Sequence, residues 1–203
     1  SHIPHSRTTR PSGNPSVEMK KAVFLDRDGV LNRALERNGE LVPPRNLAEF
    51  ELLPGVRDAC ESLRNAGFLL IVVTNQPDVA RGTLDRSVVG EINRLIREAL
   101  PLDDIRVCYH DDGDHCDCRK PKPGLLLQAA KDWDIDLAQS FLVGDRWKDI
   151  AAARNAGCRA VMVANGCPQS RDLSASPDAR VHSLKEAGDW ILRSPFHEGA
   201  LAK

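Results

Sequence analysis

The chain has 203 residues, a formal net charge of −1, and hydrophobic and charged fractions of 41% and 28%. This length allows one domain with a full hydrophobic core and excludes two large domains. The net charge is close to zero, so the chain lacks the excess of basic residues found in proteins that bind nucleic acid or anionic membranes. No apolar run reaches the length of a membrane span. We therefore expect a cytoplasmic protein with no nucleic-acid or membrane partner, and nothing in the sequence implies an obligate protein partner.

The first 18 residues contain Ser, Pro and Gly without hydrophobic periodicity. We expect this segment, 1–18, to be a disordered leader or an addition made for expression, since Met19 is a plausible native start. The folded domain is expected to span residues 19–195.

Short apolar runs alternate with helical patterns along the rest of the chain. Runs typical of buried strands occupy residues 22–25, 68–73, 105–109, 140–144 and 160–164. Helical patterns, several bounded by Pro or Gly, occupy residues 54–67, 85–100, 124–133 and 148–157, with a last helix inside 181–192. This alternation predicts an α/β fold whose parallel sheet is covered on both faces and binds ligands at the carboxyl ends of its strands.

The first predicted strand is followed at once by two acids, Asp26 and Asp28. Strand alternation sends both side chains to the same side, where like charges repel unless a cation or a proton lies between them. For an isolated pair, two solvated acids in a turn would be the alternative. A calcium loop of the EF-hand type is excluded, because that loop needs a third oxygen ligand where the chain has Val30 and a Gly where it has Leu31.

Polar residues also follow the next three strands: Thr74 and Asn75, then Lys120, then Asp145 and Asp149. The carboxylates of Asp26 and Asp145, with a backbone carbonyl and waters, would suit Mg²⁺, a hard cation that prefers oxygen ligands. Thr74 and Lys120 would then face a phosphoryl group. These residues predict a site that binds a cation and a phosphate together.

The four motifs resemble those of the haloacid dehalogenase superfamily. In chain order they read Asp26-x-Asp28-Gly-Val, Val-Thr74-Asn75, Lys120-Pro-x-Pro and Gly144-Asp145-x-x-x-Asp149. The resemblance covers residues 20 to about 165 and implies a Rossmann-like α/β fold. Only 47 residues lie between Asp26 and Thr74, and they already contain a helix, so we expect no large cap domain.

The resemblance implies a Mg²⁺-dependent phosphatase with an aspartyl-phosphate intermediate. Asp26 would attack phosphorus, and Asp28 would be the general acid for the leaving oxygen and then the base for water, with Thr74 and Lys120 as further catalytic residues. The attack requires that the repulsion between the carboxylate and the phosphoryl oxygens be neutralised, which Mg²⁺ and Lys120 would do. The residues expected around Mg²⁺ are Asp26, Asp28 and Asp145, with Asp149 behind them.

A phospho-aspartate receiver module of a signalling protein is the alternative from a different class. Receivers have the same general sheet topology but carry the phosphorylated Asp after the third strand. This chain has Asp26 after the first strand, with Asp28 placed for hydrolysis.

Three of the six cysteines lie in residues 108–118, CYHDDGDHCDC. C-x-H and C-x-C pairs this close can form a tetrahedral Zn²⁺ site, for which chemistry alone leaves both His110 and His115 available. Disulfides are disfavoured in a cytosolic protein, and a zinc-ribbon DNA module is disfavoured by the missing basic surplus. A site with four protein ligands has no open position, so its role would be to stiffen the loop that ends in Arg119 and Lys120.

The cluster, continued as C-R-K-P, closely resembles the capless, zinc-containing subgroup of the superfamily, whose members dephosphorylate heptose bisphosphate or histidinol phosphate. The zinc ligands in that pattern are Cys108, His110, Cys116 and Cys118. In the same pattern Arg119 and Lys120 contact the transferred phosphoryl group.

Without a cap, substrate choice would depend on loops 33–45 and 76–82 and on the zinc loop, 108–118. The segment TNQPDVARG resembles the heptose-bisphosphate branch more than the histidinol-phosphate branch. We therefore expect a phosphorylated sugar, with removal of the 7-phosphate of D-glycero-D-manno-heptose 1,7-bisphosphate as the first hypothesis and histidinol phosphate or another small phosphosugar as the alternative. The expected substrate contacts are Asn75, Gln76, Arg81 and Arg119, and the candidates for binding a second phosphate are Arg33, Arg37 and Arg45.

Overall fold

The computed structural model describes residues 18–164 and 175–195. Within them the strands are β1 (Ala22–Leu25), β2 (Leu35–Arg37), β3 (Glu40–Val42), β4 (Leu69–Asn75), β5 (Asp104–Cys108), β6 (Phe141–Gly144), β7 (Arg159–Val163) and β8 (Ala179–Val181). The α-helices are α1 (Val56–Asn65), α2 (Pro77–Ala80), α3 (Arg86–Ala99), α4 (Gly124–Trp133), α5 (Trp147–Ala156) and α6 (Leu184–Arg193). Three short 3₁₀ helices occupy Leu47–Glu49, Asp112–Asp114 and Leu137–Gln139. The expected leader lies outside the described residues up to position 17.

Six of these strands form one parallel sheet in the order β5-β4-β1-β6-β7-β8. β1 lies at its centre, with Phe24 beside Ile71 of β4 and Leu142 of β6. All four residues of β1 are buried, and so are those of β6. Strands covered on both faces read as continuous apolar runs rather than alternating ones, which is why these segments stand out in the sequence. The predicted α/β fold is confirmed.

Helices cover the two faces of this sheet and form two separate cores. On one face α1, α3 and α6 pack against Val23 and Leu25. On the other face α4 and α5 pack against Ala22 and Phe24. Of the described helices α3 is the longest, with 14 residues, and none has the length and apolar character needed to span a bilayer.

The segment 33–45, expected to be a loop, contains an antiparallel hairpin of β2 and β3. Its two-residue turn consists of Asn38 and Gly39, with φ of 53° and 78°. Asn-Gly is the preferred pair for such a type I′ turn, so this dipeptide was the signal that could have revealed the hairpin. Between β1 and α1 the chain forms only this hairpin and the short Leu47–Glu49 turn, which confirms the expected lack of a large cap domain.

Candidate active site

The carboxyl ends of β1, β4 and β6 meet at one edge of the sheet, where parallel α/β folds bind their ligands. A cleft of about 550 Å³ opens there. Its floor includes residues predicted from all four motifs: Asp26, Asp28, Asn75, Lys120, Asp145 and Asp149. The structure therefore brings together side chains that are separated by up to 123 positions in the chain, from Asp26 to Asp149.

Lys120 is one of two buried cations of this site, with 2% of its surface exposed. Its Nζ donates to Asp26 Oδ1 at 2.9 Å, to Asp149 Oδ1 at 2.6 Å and to the Val73 carbonyl at 2.8 Å. Burial alone would lower the pKa of Lys120, but Asp149 and Asp26 outweigh it and hold that pKa above its ordinary value. The amide of Asn75 clamps the Lys120 backbone, donating to its carbonyl at 3.0 Å and accepting from its N–H at 3.1 Å. Lys120 is thus a fixed, charged ammonium.

The carboxyl groups of Asp26 and Asp149 flank Lys120. Burial and then the charge of Asp149 raise the pKa of Asp26 to about 6, against the opposing effect of Lys120. The other oxygen of Asp149 accepts the N–H of Arg146 at 3.1 Å. A Cβ on Gly144 would lie 2.2 Å from the Cβ of Asp149, so the residue that ends β6 must be glycine for Asp149 to reach this position.

The carboxylate of Asp28 is held by three donor side chains. Arg27 Nη2 lies 3.1 Å from Oδ1 and 3.2 Å from Oδ2, and Asn32 Nδ2 donates to Oδ1 at 3.0 Å. Gln76 Nε2 donates to Oδ2 at 2.7 Å and also to Thr74 Oγ1 at 3.0 Å. Thr74 and Gln76 are buried and are not among the described residues that line the cleft. Gln76, predicted to contact substrate, therefore lies beneath the cleft and contacts Asp28.

Carboxylate oxygens of Asp26, Asp145 and Asp149 lie within 4.8 Å of one another. Oxygen donors of this kind are those that Mg²⁺ prefers. Together with Asp28 they make four carboxylates beside two buried cations, which leaves an excess of two negative charges that a divalent ion would balance. The donor set thus fits Mg²⁺. Because the Asp28 carboxylate is engaged by its three donors and Asp149 by Lys120, the carboxylates best placed for the ion are those of Asp26 and Asp145.

The predicted zinc ligands Cys108, His110, Cys116 and Cys118 also converge. Sγ of Cys118 lies 3.2 Å from Sγ of Cys108, 3.6 Å from Sγ of Cys116 and 3.3 Å from Nδ1 of His110. A Zn–S distance of about 2.3 Å places tetrahedral ligands about 3.8 Å apart, so the cluster fits a four-coordinate ion. His115 is not a member of the group. Between the two histidines left open by chemistry, the geometry selects His110.

The end of the zinc loop is packed tightly against the start of α4. The N–H of Gly124 donates to the Asp117 carbonyl at 3.0 Å, and a Cβ on Gly124 would lie only 2.2 Å from that oxygen. Lys122 Nζ donates to the Cys116 carbonyl at 2.8 Å. These contacts fix the short segment that presents Arg119 and Lys120 to the cleft.

The two arginines predicted to bind substrate, Arg81 and Arg119, line the cleft and face acids of the zinc loop. Arg81 donates from Nε and Nη2 to the two oxygens of Asp111, at 2.7 Å each. Its guanidinium lowers the pKa of Asp111 to about 2. Arg119 Nε donates to Asp112 Oδ1 at 2.7 Å. The acids of the loop therefore act as counter-ions for both arginines.

The second-phosphate candidates in and around the hairpin are not among the described residues that line the cleft: Arg33, Arg37 and Arg45. Arg33 and Arg37 form ion pairs with glutamates instead. Two cations missed in the sequence, Arg146 and Lys148, line the cleft after β6. Arg146 Nη2 also donates to a hairpin carbonyl, that of Leu41, at 2.9 Å. Their place directly after the Gly144-Asp145 motif was the signal that could have indicated them.

Comparison with known proteins agrees with this geometry. A family model described as HAD-hydrolase-like matches residues 117–187. The D-glycero-β-D-manno-heptose-1,7-bisphosphate 7-phosphatase of Haemophilus ducreyi is 37% identical over 185 residues, which cover 85% of this chain and 98% of that protein. The Escherichia coli protein of the same name is 36% identical over 187 residues, 85% of this chain and 88% of that protein.

A solved structure gives the same result. The D,D-heptose 1,7-bisphosphate phosphatase from B. bronchiseptica, complexed with magnesium and phosphate, matches with a TM-score of 0.73 and 32% identity, covering 85% of this chain and 98% of that one. The chain belongs to the haloacid dehalogenase-like hydrolases, in the branch that contains the heptose-bisphosphate phosphatases. The resemblance inferred from the four motifs is confirmed.

Proposed function

We propose that the chain is a Mg²⁺-dependent phosphatase that removes the 7-phosphate of D-glycero-D-manno-heptose 1,7-bisphosphate through a phosphorylated Asp26. The observation that carries the chemistry is the buried Lys120 ammonium 2.9 Å from Asp26 Oδ1, at the floor of a cleft that Asp28 also lines. The names of the relatives support the substrate and make the β anomer the first candidate. We also propose that residues 19–195 form one domain.

In the proposed reaction an oxygen of the Asp26 carboxylate attacks phosphorus. The bond from phosphorus to the sugar oxygen breaks, and Asp28, which must have taken up a proton before this step, gives that proton to the leaving oxygen. Asp28 then takes a proton from a water molecule, whose oxygen attacks phosphorus and releases both inorganic phosphate and the Asp26 carboxylate. Lys120, held by Asp149, stabilises charge on the phosphoryl oxygens. The Thr74 hydroxyl, buried beneath the cleft, accepts from Gln76 and so supports the amide that holds Asp28.

Asp26 and Asp145 would hold the Mg²⁺ through their carboxylates, next to Asp28. When bound, the ion neutralises phosphoryl charge so that a carboxylate can approach phosphorus. The excess of two negative charges at the site supports this proposal, as does the magnesium in the solved relative's complex.

Zn²⁺ held by Cys108, His110, Cys116 and Cys118 would have no open position for water and would be structural. These four ligands lie at the end of β5 and just before Arg119, so a bound ion would join the two segments. Its role in the proposal is to hold Arg119 and Lys120 beside the phosphoryl group.

The walls of the cleft support a substrate larger than phosphate itself. The hairpin and the residue after it contribute residues 39–43, and a basic side is formed by Arg81, Arg146 and Lys148. We propose that this side binds the phosphate that is not transferred. That phosphate would replace Asp111 as the partner of Arg81 and Asp112 as the partner of Lys148. A singly phosphorylated substrate such as histidinol phosphate would leave that side unused.

The test is phosphate release, with Mg²⁺, from both anomers of the heptose bisphosphate and from L-histidinol phosphate. Asp26→Asn should release none, whereas Asp58→Asn, an exposed acid in the first turn of α1, should behave as wild type. A higher kcat/KM on a heptose anomer supports the proposal, and a preference for histidinol phosphate overturns the substrate. Phosphate that stays on Asp26 without turnover would favour the receiver alternative, and no Asp26-dependent release from any ester would overturn the enzyme.

A further inference from the structure

Arg27, the residue between the two motif acids, is the largest fully buried side chain among the described residues. Strand alternation sends it away from the cleft, to the side on which α3 packs. Two of its guanidinium nitrogens, Nε and Nη2, face the Asp28 carboxylate at 3.1–3.3 Å. The third, Nη1, donates to Asn93 Oδ1 of α3 at 3.0 Å.

Burying a guanidinium costs free energy even when it is paired, and a neutral side chain of similar size is often as stable or more stable at such a position. Stability alone therefore gives no reason for a cation here. The planar guanidinium supplies something that an apolar residue and a lysine do not, namely donors in fixed directions to both oxygens of one carboxylate and to a third group. All three nitrogens of the Arg27 guanidinium donate in the structure.

We propose that Arg27 is a positioning residue that fixes the orientation of the Asp28 carboxylate for proton transfer. Arg27 bonds both oxygens from below, Asn32 bonds Oδ1 and Gln76 bonds Oδ2, while the side chain of Asp28 keeps 12% of its surface exposed, facing the cleft. Asn93 anchors the guanidinium to α3, so the direction of the Asp28 carboxylate is set by the packing of a helix. Arg27 exchanges no proton and does not touch the substrate.

This inference rests on the proposed function, because it assumes that Asp28 gives a proton to the leaving oxygen. It can be tested by leaving-group dependence, since kcat/KM for a double-displacement enzyme reports the steps up to the first bond cleavage. An alkyl phosphate needs a proton on its leaving oxygen, whereas 4-nitrophenolate leaves without one. Loss of correctly directed acid catalysis should therefore affect the first substrate far more than the second.

The variants are Arg27→Met and Arg27→Lys, assayed on the heptose bisphosphate and on 4-nitrophenyl phosphate. For Arg27→Met we expect kcat/KM to fall on the order of 10²-fold or more with the sugar phosphate and less than about tenfold with the aryl phosphate. Arg27→Lys keeps the positive charge but lacks the planar guanidinium that donates to both carboxylate oxygens. Its kcat/KM should fall about tenfold with the sugar phosphate, and less with the aryl phosphate. If Arg27→Met does not fold, Arg27→Lys carries the test. The matched control is Arg64→Lys. Arg64 lies away from the cleft, with its Nη1 2.9 Å from Asp103 Oδ1, so this substitution should leave both activities unchanged.

Equal losses on the two substrates, or no loss, would overturn the role of Arg27. Wild-type release from 4-nitrophenyl phosphate that disappears in Asp26→Asn would establish the phosphatase chemistry independently of the sugar. Absence of Asp26-dependent release from both esters would overturn the proposed function and this role with it, so the two failures are distinguishable.

Discussion

Asp26, the proposed nucleophile and metal ligand, has a pKa well above that of an ordinary aspartate. Burial and then Asp149 raise its pKa to about 6, with Lys120 opposing them. Because this pKa lies above that of the unfolded chain, the protonated form is favoured by folding. In the absence of metal, the stabilisation from this proton is complete below the unfolded pKa and is lost as the pH rises through about 6. Above that pH the Asp26 carboxylate is ionised, and a divalent cation can offset the free-energy cost of its burial and of its repulsion by Asp149.

We expect Mg²⁺ to raise the unfolding temperature more at about pH 7.5 than at about pH 5, because at the lower pH the ion must displace the proton of Asp26. The apparent affinity should fall by about tenfold per pH unit once the pH is below that pKa. Thermal unfolding across a Mg²⁺ titration at the two pH values measures this. Asp145→Asn should abolish the shift at both pH values, whereas Asp58→Asn should retain it. A shift of the same size at both pH values would contradict the prediction.

At the scale of residues, the sequence was sufficient to predict those parts of the site that depend only on the spacing of residues at the end of one strand. Asp26 and Asp28 are two positions apart after an apolar run, and nothing more is needed to place them side by side. The role of Arg27 is different, because a charged residue next to two acids reads as solvent-exposed unless Asn93 of α3 is known to lie behind it. Gln76 was predicted to contact substrate, and only the folded chain shows that its amide points down to Asp28.

Among the elements, the hairpin of β2 and β3 is the part of the cleft wall that depends most on one residue. Gly39 has a φ of 78°, a conformation that costs other residues about 1–2 kcal/mol, and no atom lies within 4 Å of the position of an added Cβ. Substitution there changes the backbone of the turn and not its packing. The hairpin tip should shift while the sheet is unaffected.

Gly39→Ala should therefore raise KM for the heptose bisphosphate severalfold and leave the hydrolysis of 4-nitrophenyl phosphate, a smaller substrate, unchanged. The matched control is Gly90→Ala, at an exposed position in α3 where an added Cβ also meets nothing and φ is not positive. Ala is a better helix former than Gly, so this control should keep both activities and gain up to about 1 kcal/mol of stability. Equal effects of Gly39→Ala on the two substrates would show that the hairpin does not contact the sugar.

The buried strands of the sheet were predicted closely because a short apolar run bounded by polar residues is typical of a strand covered on both faces, and β1 occupies residues 22–25 as expected. The hairpin was not predicted. Its strands are three residues each and only partly buried, so neither carries an alternating pattern long enough to detect. The Asn38-Gly39 pair was the local signal of a hairpin turn, but such a pair predicts a hairpin only when a strand can be recognised on each side of it.

For the molecule as a whole, the cluster of Cys108, His110, Cys116 and Cys118 links the end of β5 to the loop that carries Lys120. Cys118 contacts the other three members of the cluster, so Cys118→Ser should remove bound Zn²⁺, lower the unfolding temperature and reduce kcat. Added Mg²⁺ should not restore activity, because the loss lies in the position of Lys120 and not in its neighbouring metal. Metal analysis of the purified protein, thermal unfolding and phosphate release measure the three effects.

The control for this variant is Cys60→Ala, a buried cysteine of α1 outside the cluster. It should lose some stability through the small cavity left behind, with zinc content unchanged. Retention of a full equivalent of zinc in Cys118→Ser would contradict the assignment of the site.

The central position of β1 also determines when the active site can exist during synthesis. The strand that carries Asp26 is flanked by β4 on one side and by β6 on the other, and the N–H of Ala22 at its start donates to Ser140, 118 residues later in the chain. A growing chain that has left the ribosome only as far as α4 has both motif acids and Lys120 but lacks Asp145, Asp149 and one neighbour of its first strand. Contacts this distant in sequence form late in folding. The nascent protein therefore carries two closely spaced carboxylates through most of its synthesis before it can bind a metal or hydrolyse an ester.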